Sequence, residues 1–225
     1  MGHRLARINK LLKTTHTMRL LSPQDLAQTS CTTPITFVDS SSNENMQPVA
    51  LGQLHYAGLD WLVNISFSSG KSGSIVWIRR IQLTEDPNDH SERRDIPLPL
   101  PIDFLGGMGC LHIAQEDLPD NLQTEQQRGS LAMRLQAEGS PLERAVWQAL
   151  GHIPLGACCS YSAIAAFIGR PKAVRAVGSA IGRNPLAPIV PCHRVLRSDG
   201  SMGGYYYGLE IKQKLLDFET NNLLP

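Results

Sequence analysis

Acidic residues are missing from two stretches of this 225-residue chain. None occurs in residues 1–24, which hold Arg4, Arg7, Lys10, Lys13 and Arg19. None occurs in 151–198 either, where Arg170, Lys172, Arg175, Arg183, Arg194 and Arg197 fall. Formal net charge is only +1, so the basic blocks are offset elsewhere, chiefly by the acid-rich stretch 85–143. A basic block inside a folded region points to a polyanionic partner, most simply nucleic acid. The bland alternative is a solvated face with a chance bias.

Long apolar runs are missing too, so no segment reads as a membrane span. The basic N-terminus has no apolar core of the secretory kind. Three readings of residues 1–24 stay open: a basic disordered arm, an organelle transit peptide, or an extension upstream of a start at Met18. Cysteine is scarce. Cys31, Cys110, Cys158, Cys159 and Cys192 form neither a disulfide framework nor a paired CxxC. A reducing intracellular compartment follows, cytoplasm or nucleus depending on organism. No local ligand cluster supports zinc, and no metal is expected.

With 42% hydrophobic residues the chain can bury a real core, as one large domain or two small ones. Residues 49–56, 61–67 and 74–83 are rich in Val, Ile, Leu and aromatics between Gly and Ser clusters, which predicts strands. The charged, proline-rich segment 85–101 reads as a loop. Farther on, Ser140-Pro141-Leu142-Glu143 is a capping box with proline at the first helical position. Leu142, Val146, Ala149 and Leu150 follow as an apolar core stripe that Gly151 closes. Ser160 can cap a helix over 161–168, Gly169 ends it, and Pro171 opens another over 172–182. A last helix is expected over 209–219, with Leu215, Leu216 and Phe218 on its apolar side and Lys212 and Lys214 on its wet side. The expected fold is α+β: a small N-terminal sheet domain, then a mainly helical C-terminal domain with a helix-turn-helix. Residues 1–24 are the basic extension, 25–100 the sheet domain, 101–139 a connecting segment and 140–225 the helical C-terminal domain.

Two short helices around a glycine-containing turn fit a helix-turn-helix, a weak signal alone. The second helix sharpens it, because Ala173, Val174, Arg175, Ala176, Val177, Gly178, Ser179 and Ala180 are nearly all small. Major-groove readers project long polar side chains toward base edges, whereas small residues let a backbone approach the narrower minor groove. A single arginine could then enter the base stack as a wedge. The competing reading is a helix that is small because it packs tightly inside the protein.

The chemistry-bearing run is Val190-Pro191-Cys192-His193-Arg194-Val195. A thiol is nucleophilic as its thiolate, which a neighbouring base or cation favours, and here both follow the cysteine directly. Cys-His pairs are usually structural, so the surroundings decide.

Those surroundings are recognisable. Ser160-Tyr161, the run from Gly169 through Val177, Asn184-Pro185, the PCHRV run at 191–195 and Gly204-Tyr205 fall in order. Together they resemble the O6-alkylguanine-DNA alkyltransferases over about residues 140–219. The N-terminal half is only loosely similar, around 51–67. The resemblance implies a suicide DNA-repair methyltransferase. It would act as a monomer without a cofactor, on O6-alkylguanine in duplex DNA bound from the minor groove. The target base is flipped out of the stack because its O6 cannot be reached inside the duplex.

By the family pattern Cys192 accepts the alkyl group, His193 is its base through a water, and Glu219 orients the histidine, a triad logic with water inserted. Arg175 replaces the flipped nucleotide. Tyr161 crowds the target phosphate and can donate to the purine. Asn184 ties the recognition helix to the active-site segment. Tyr205 lines the pocket and helps to protonate or position the leaving guanine. Backbone groups at Pro191 and Val195 read the guanine edge. Ala173, Ala176 and Arg183 complete the expected DNA contacts with Tyr161 and Arg175. Tyr207 stands where relatives carry anything from glycine to tryptophan, and its bulk should narrow the pocket against benzyl-sized adducts. Leu142 replaces a frequent phenylalanine. Cys31 and Cys110 lack the spacing of the zinc-cysteine domain that some members add. Cys192 argues against the binders that have lost the reactive cysteine.

Two other classes compete. A catalytically silent helix-turn-helix protein that binds damage or sequence would keep Tyr161 and Arg175 without needing Cys192, His193 and Glu219. It would bind DNA without a covalent product. A cysteine hydrolase would reuse Cys192 and His193 but leaves the acid-free helix pair unexplained. It would turn over an acyl substrate.

Overall fold

The computed structural model describes residues 18–31, 35–37, 50–70, 73–84, 95–99, 110–114 and 132–222. These fall into two compact units. One takes Met1–Thr32, Ser140–Asn184 and Val190–Pro225, and the other takes Thr33–Gly139 and Pro185–Ile189. The architecture is α+β.

The second unit is a mixed sheet of seven strands in the order β2-β8-β5-β4-β3-β7-β6. Its strands are β2 (Ile35–Phe37), β3 (Ala50–Tyr56), β4 (Leu59–Gly70), β5 (Gly73–Leu83), β6 (Asp95–Pro99), β7 (Cys110–Ala114) and β8 (Ala132–Ala137). The meander β3–β4–β5 lies where the alternating apolar residues predict it. Ala57 and Gly58 join β3 to β4 with φ of 59° and 64°, the paired positive values that a two-residue hairpin turn needs. Leu54, Tyr56, Trp61, Val63, Ile65, Val76, Ile78 and Leu135 are buried on one face. The alternation breaks after Ile78, because Ile81 is also buried. A bulge explains it: Asn64 faces Arg80 while Ile65 faces Ile78. The extra residue on β5 returns Ile81 to the core side.

Three expectations are corrected here. The segment 85–101 is not all loop, since it contains β6, and 101–139 is not merely a connection, since it supplies β7 and β8. Prolines 97 and 99 hide β6 from a strand reading, yet β6 is a sheet edge, where a missing backbone donor is tolerated. β8 has weak strand propensity and forms by inserting in parallel between β2 and β5. The boundary at residue 25 also moves, because residues up to Thr32 belong with the first unit.

The first unit holds the three-stranded parallel sheet β1-β9-β10, made of Arg19–Leu21, Ala157–Ser160 and Val195–Leu196. Arg19, Leu20 and Leu21 pair with Ala157, Cys158 and Cys159, so this end of the expected basic arm is a strand. Residues 1–17, with the other readings of that arm, lie outside the described residues. The helices are α1 (Pro23–Gln28), α2 (Pro141–Leu150), α3 (Tyr161–Phe167), α4 (Val174–Gly182) and α5 (Leu209–Asn222). Ser140 and Glu143 close the expected capping box on α2, and Ser22 with Asp25 makes a second one on α1. α2 buries Val146, Trp147, Ala149 and Leu150, while Leu142 is only half-buried. Trp147 Nε1 donates to the Ala180 carbonyl at 2.8 Å, tying α2 to α4. Ser160 caps α3 by accepting from the Ala163 amide, and Gly169 ends the turn beyond it with φ of 71°.

α5 carries a further correction. Lys214 is exposed as expected, but Lys212 is fully buried with Leu215, Leu216 and Glu219. The spacing 212, 215, 216, 219 is one helical stripe, and its two charged ends turn inward because each finds polar partners in the site described next. Among the described residues no helix is long and apolar enough to cross a membrane.

Candidate active site

The run 190–196 is bent into position by its own backbone. Pro191 sits at φ −83° and ψ 62°, and the Cys192 amide donates back to the Val190 carbonyl at 2.8 Å, an inverse γ-turn. Residues Cys192–Arg194 then form one 3-10 turn. β10 follows at once, with Val195 and Leu196 paired to Cys159 and Ser160. Asn184 Nδ2 donates to the Val190 carbonyl at 2.7 Å and holds the entry to the turn, and its side chain also interacts with the Cys192 thiol.

Behind the turn lies a buried charge cluster. His193 Nε2 is 2.7 Å from Glu219 Oε1. Arg194 grips both oxygens of the same carboxylate, with Nε to Oε2 and Nη2 to Oε1 each at 2.9 Å, while Nη1 donates to the Ile153 carbonyl at 2.7 Å. His193, Arg194 and Glu219 are all buried. Burial alone would raise the Glu219 pKa, but His193 and Arg194 outweigh it and hold the carboxyl at about 2. Burial lowers the His193 pKa, so the ring is neutral near neutrality. An ionised carboxylate only accepts, so Nε2 carries the ring proton and Nδ1 keeps its lone pair. Nδ1 is buried with no protein hydrogen-bond partner. The site therefore contains a basic nitrogen oriented through the far side of its own ring.

The thiol departs from the expectation of an acidified cysteine. Cys192 is buried, and burial raises its pKa despite the opposing effects of Asn184 and Lys212. Its resting form is the thiol. Arg194, the cation expected to help, is committed to Glu219. The cation that does act on the sulfur is Lys212, which sequence reasoning placed in water. Lys212 Nζ donates to the Val195 carbonyl at 2.6 Å, and burial lowers its pKa to about 8. The signal was present in the helical stripe that Lys212 shares with Glu219.

Tyr205 brings a buried hydroxyl within electrostatic reach of the Cys192 sulfur, with no conventional hydrogen-bond partner of its own. Tyr207 packs edge-on against Tyr205 at 5.9 Å between ring centroids. Tyr161, first residue of α3, donates to the Gly204 carbonyl at 3.2 Å. Its ring fills the space over two glycines. A Cβ at Gly203 would come within 2.5 Å of it, and one at Gly178 of α4 within 3.6 Å. These glycines give Tyr161 a fixed seat between α4 and the loop that carries Tyr205. Pro191 and Val195 are buried beside Cys192, and the Val195 amide donates to the Cys192 carbonyl. Arg175 and Ala176 stand exposed on α4, outside this cluster, and Ala173 is its half-buried N-cap. Arg183 is exposed, and its Nε reaches Glu143 at 2.5 Å. Cys158, Cys159 and Cys192 are free thiols. Among the described residues no three His, Cys, Asp or Glu side chains converge as metal ligands.

Residues 141–221, which span this cluster from α2 to α5, match the family model described as 6-O-methylguanine DNA methyltransferase, DNA binding domain. Residues 141–221 belong to this domain family. The chain is 51% identical over 94 residues to the methylated-DNA–protein-cysteine methyltransferase of Methanosarcina barkeri, covering 42% of this chain and 60% of that protein. It is 54% identical over 88 residues to a probable enzyme of that name from Acanthamoeba polyphaga mimivirus, covering 39% and 58%. The crystal structure of Mycobacterium tuberculosis O6-methylguanine methyltransferase shares 31% identity over 72% of this chain and 95% of its own, with a TM-score of 0.44. The chain thus spans about 60% of the length of the first curated relatives, and the family motifs sit in the unit that holds Cys192.

Two outcomes follow. Glu219→Ala leaves Arg194 as a buried unpaired cation and should lower stability by roughly 3–5 kcal/mol in denaturant unfolding. Because the folded carboxyl is held at about 2 against an ordinary 4.5, its stabilisation is complete above pH 4.5 and is lost as pH falls toward 2. The gap between wild type and variant should close over that window, and a gap independent of pH would contradict the assignment. Lys212→Met keeps the bulk and removes the charge. It should slow iodoacetamide labelling of Cys192 several-fold at neutral pH, read by peptide mass spectrometry. The difference should fade above about pH 8, where wild-type Lys212 loses its proton. Equal rates at neutral pH would remove Lys212 from the electrostatics of the thiol.

Proposed function

We propose that this chain repairs DNA by direct reversal, moving the O6-alkyl group of an alkylated guanine in duplex DNA onto Cys192. The observation that carries the reading is the ordered set Cys192, neutral His193 and buried ionised Glu219, in which only Nδ1 of His193 can accept a proton. As the lesion docks, the Cys192 proton passes through a water to Nδ1, and Glu219 and Lys212 offset the charges that result. Sγ attacks the alkyl carbon, the carbon–O6 bond breaks, and a thioether forms. The guanine leaves as its 6-oxo form after taking up a proton, with the Tyr205 and Tyr161 hydroxyls as candidate donors. A thioether is a poor leaving group and nothing regenerates the thiol, so each chain acts once. The reaction needs no cofactor.

Residues 140–225 would hold both DNA binding and alkyl acceptance, with α3 and α4 as the helix-turn-helix. The exposed side of α4 supports minor-groove docking: Ala176, Ser179 and Gly182 are small and exposed beside Arg175, so phosphates can come close to the backbone. Arg175 would fill the gap that the flipped nucleotide leaves, Ala173 and Ala176 would line the groove, and Tyr161 would press on the target phosphate. Arg183, engaged by Glu143, would contribute one remaining face of its guanidinium. Pro191 and Val195 would present backbone groups to the guanine edge, Asn184 would keep α4 and the acceptor turn in register, and Tyr207 would limit adduct size. The partner is duplex DNA bound by a monomer, and affinity should be phosphate-driven and salt-sensitive. Free thiols suit a reducing intracellular compartment.

The deciding measurement is intact-protein and peptide mass spectrometry after incubation with a duplex containing O6-methylguanine. The expected outcome is one methyl on the Cys192 peptide, saturating at one per chain. DNA binding without an adduct would make the chain a silent binder instead. Separately, Arg175→Ala should slow repair in duplex far more than reaction with free O6-benzylguanine. Equal losses in the two assays would remove Arg175 from an intercalating role.

A further inference from the structure

Tyr206 is 79% exposed, the highest value for a large hydrophobic side chain among the described residues, and nothing in the mechanism above uses it. It is nonetheless held. Its ring meets Tyr207 edge-on at 5.0 Å and 89°, and Tyr207 in turn meets Tyr205. Three rings therefore run from the buried Cys192 to the surface. The loop that carries them is fixed by the Tyr161 hydroxyl on the Gly204 carbonyl and by the packing of Gly203 under the Tyr161 ring. The same ring touches Gly178 on α4, so Tyr206 shares a buttress with the helix that presents Arg175.

We propose that Tyr206 is a stacking platform for a nucleobase adjacent to the one that enters the Cys192 pocket, a reading that rests on the proposed function. An aromatic face accepts any base, so the contact adds affinity without sequence preference. A tyrosine already restrained by a neighbouring ring loses little freedom when a base covers it. The occupant is a base rather than an apolar protein surface because of the charge nearby. Arg170, Lys172 and Arg175 are exposed on the turn and helix that Tyr161 joins to this loop, and residues 151–198 contain no acid.

The test uses the full chain and a short duplex with O6-methylguanine and 2-aminopurine as its neighbour, comparing wild type, Tyr206→Ser and Tyr206→Phe. In the wild-type complex stacking should quench 2-aminopurine emission. Tyr206→Ser should lose most of that quenching and about tenfold in affinity by fluorescence anisotropy, and Tyr206→Phe should keep both. Equal emission and affinity for wild type and Tyr206→Ser would overturn the assignment, as would loss of both in Tyr206→Phe. Neither signal requires alkyl transfer. A wild type that binds and quenches but acquires no methyl therefore refutes the repair reaction while supporting the platform, and one that does not bind duplex DNA refutes both.

Discussion

The cluster around Cys192 depends on a single buried carboxylate. Glu219 receives hydrogen bonds from His193 and from two nitrogens of Arg194, and in doing so it fastens the last helix to the 3-10 turn that carries the nucleophile. It also fixes the chemistry of that turn. An ionised carboxylate at Nε2 forces the imidazole tautomer that leaves Nδ1 basic. By drawing in Arg194, it removes from the thiol the cation that stands nearest in sequence. Burying one carboxylate, one guanidinium and one imidazole carries a large desolvation cost, and replacing such a set with apolar side chains often stabilises a protein. Its retention here fits the need to orient a base.

The same burial leaves the thiol dormant. Cys158, next door on β9, has its pKa pushed up to about 12, and Cys159 is raised as well, in both cases by burial. Cys192 is raised by the same cause. Depth alone therefore does not select the nucleophile among these three thiols. What singles out Cys192 is its place in the turn: Asn184 interacts with the sulfur, and His193 follows it in sequence. A resting thiol with a neutral base beside it is protected from stray electrophiles in solution. In the proposed reaction it becomes a nucleophile when a substrate closes the site, because the proton can then be transferred as the new bond forms. Under the proposed reaction, in which each chain acts once, that protection has direct value.

Much of this was legible in the sequence, for reasons particular to each element. The meander over 50–83 and the helices α2 and α3 announce themselves through period-2 and period-3.6 apolar spacing and through Ser140 and Ser160, whose caps are local. The acceptor run was legible because a proline, a cysteine and a histidine in succession are a dense signal. β6 and β8 were not, since one is marked by prolines and the other draws its stability from partners distant in the chain. The burial of Ile81 was hidden by a bulge, which no local pattern encodes. Lys212 was misplaced because a lysine on an amphipathic helix is ordinarily solvated. Only its spacing with Leu215, Leu216 and Glu219 showed that it lies on the inward stripe. The cation acting on the thiol was not legible from adjacency in sequence, because Arg194 turns to Glu219 and Lys212 takes its place.

The distance between Cys192 and α4 is set by very little chain. Val195 and Leu196, immediately after the acceptor turn, pair with Cys159 and Ser160, and Ser160 is itself the cap of α3. One residue later comes Tyr161, whose ring is seated on Gly178 of α4 and against Gly203 of the tyrosine loop. From Cys192 to α4 the path is thus a strand pair, a helix cap and one aromatic ring, each fixed by hydrogen bonds or by the absence of a Cβ. Short rigid paths of this kind are how a site is held within the small tolerances that the proposed transfer would demand. The two glycines are as much a part of that geometry as the cysteine, because any side chain at Gly203 would displace the ring that joins α4 to the tyrosine loop.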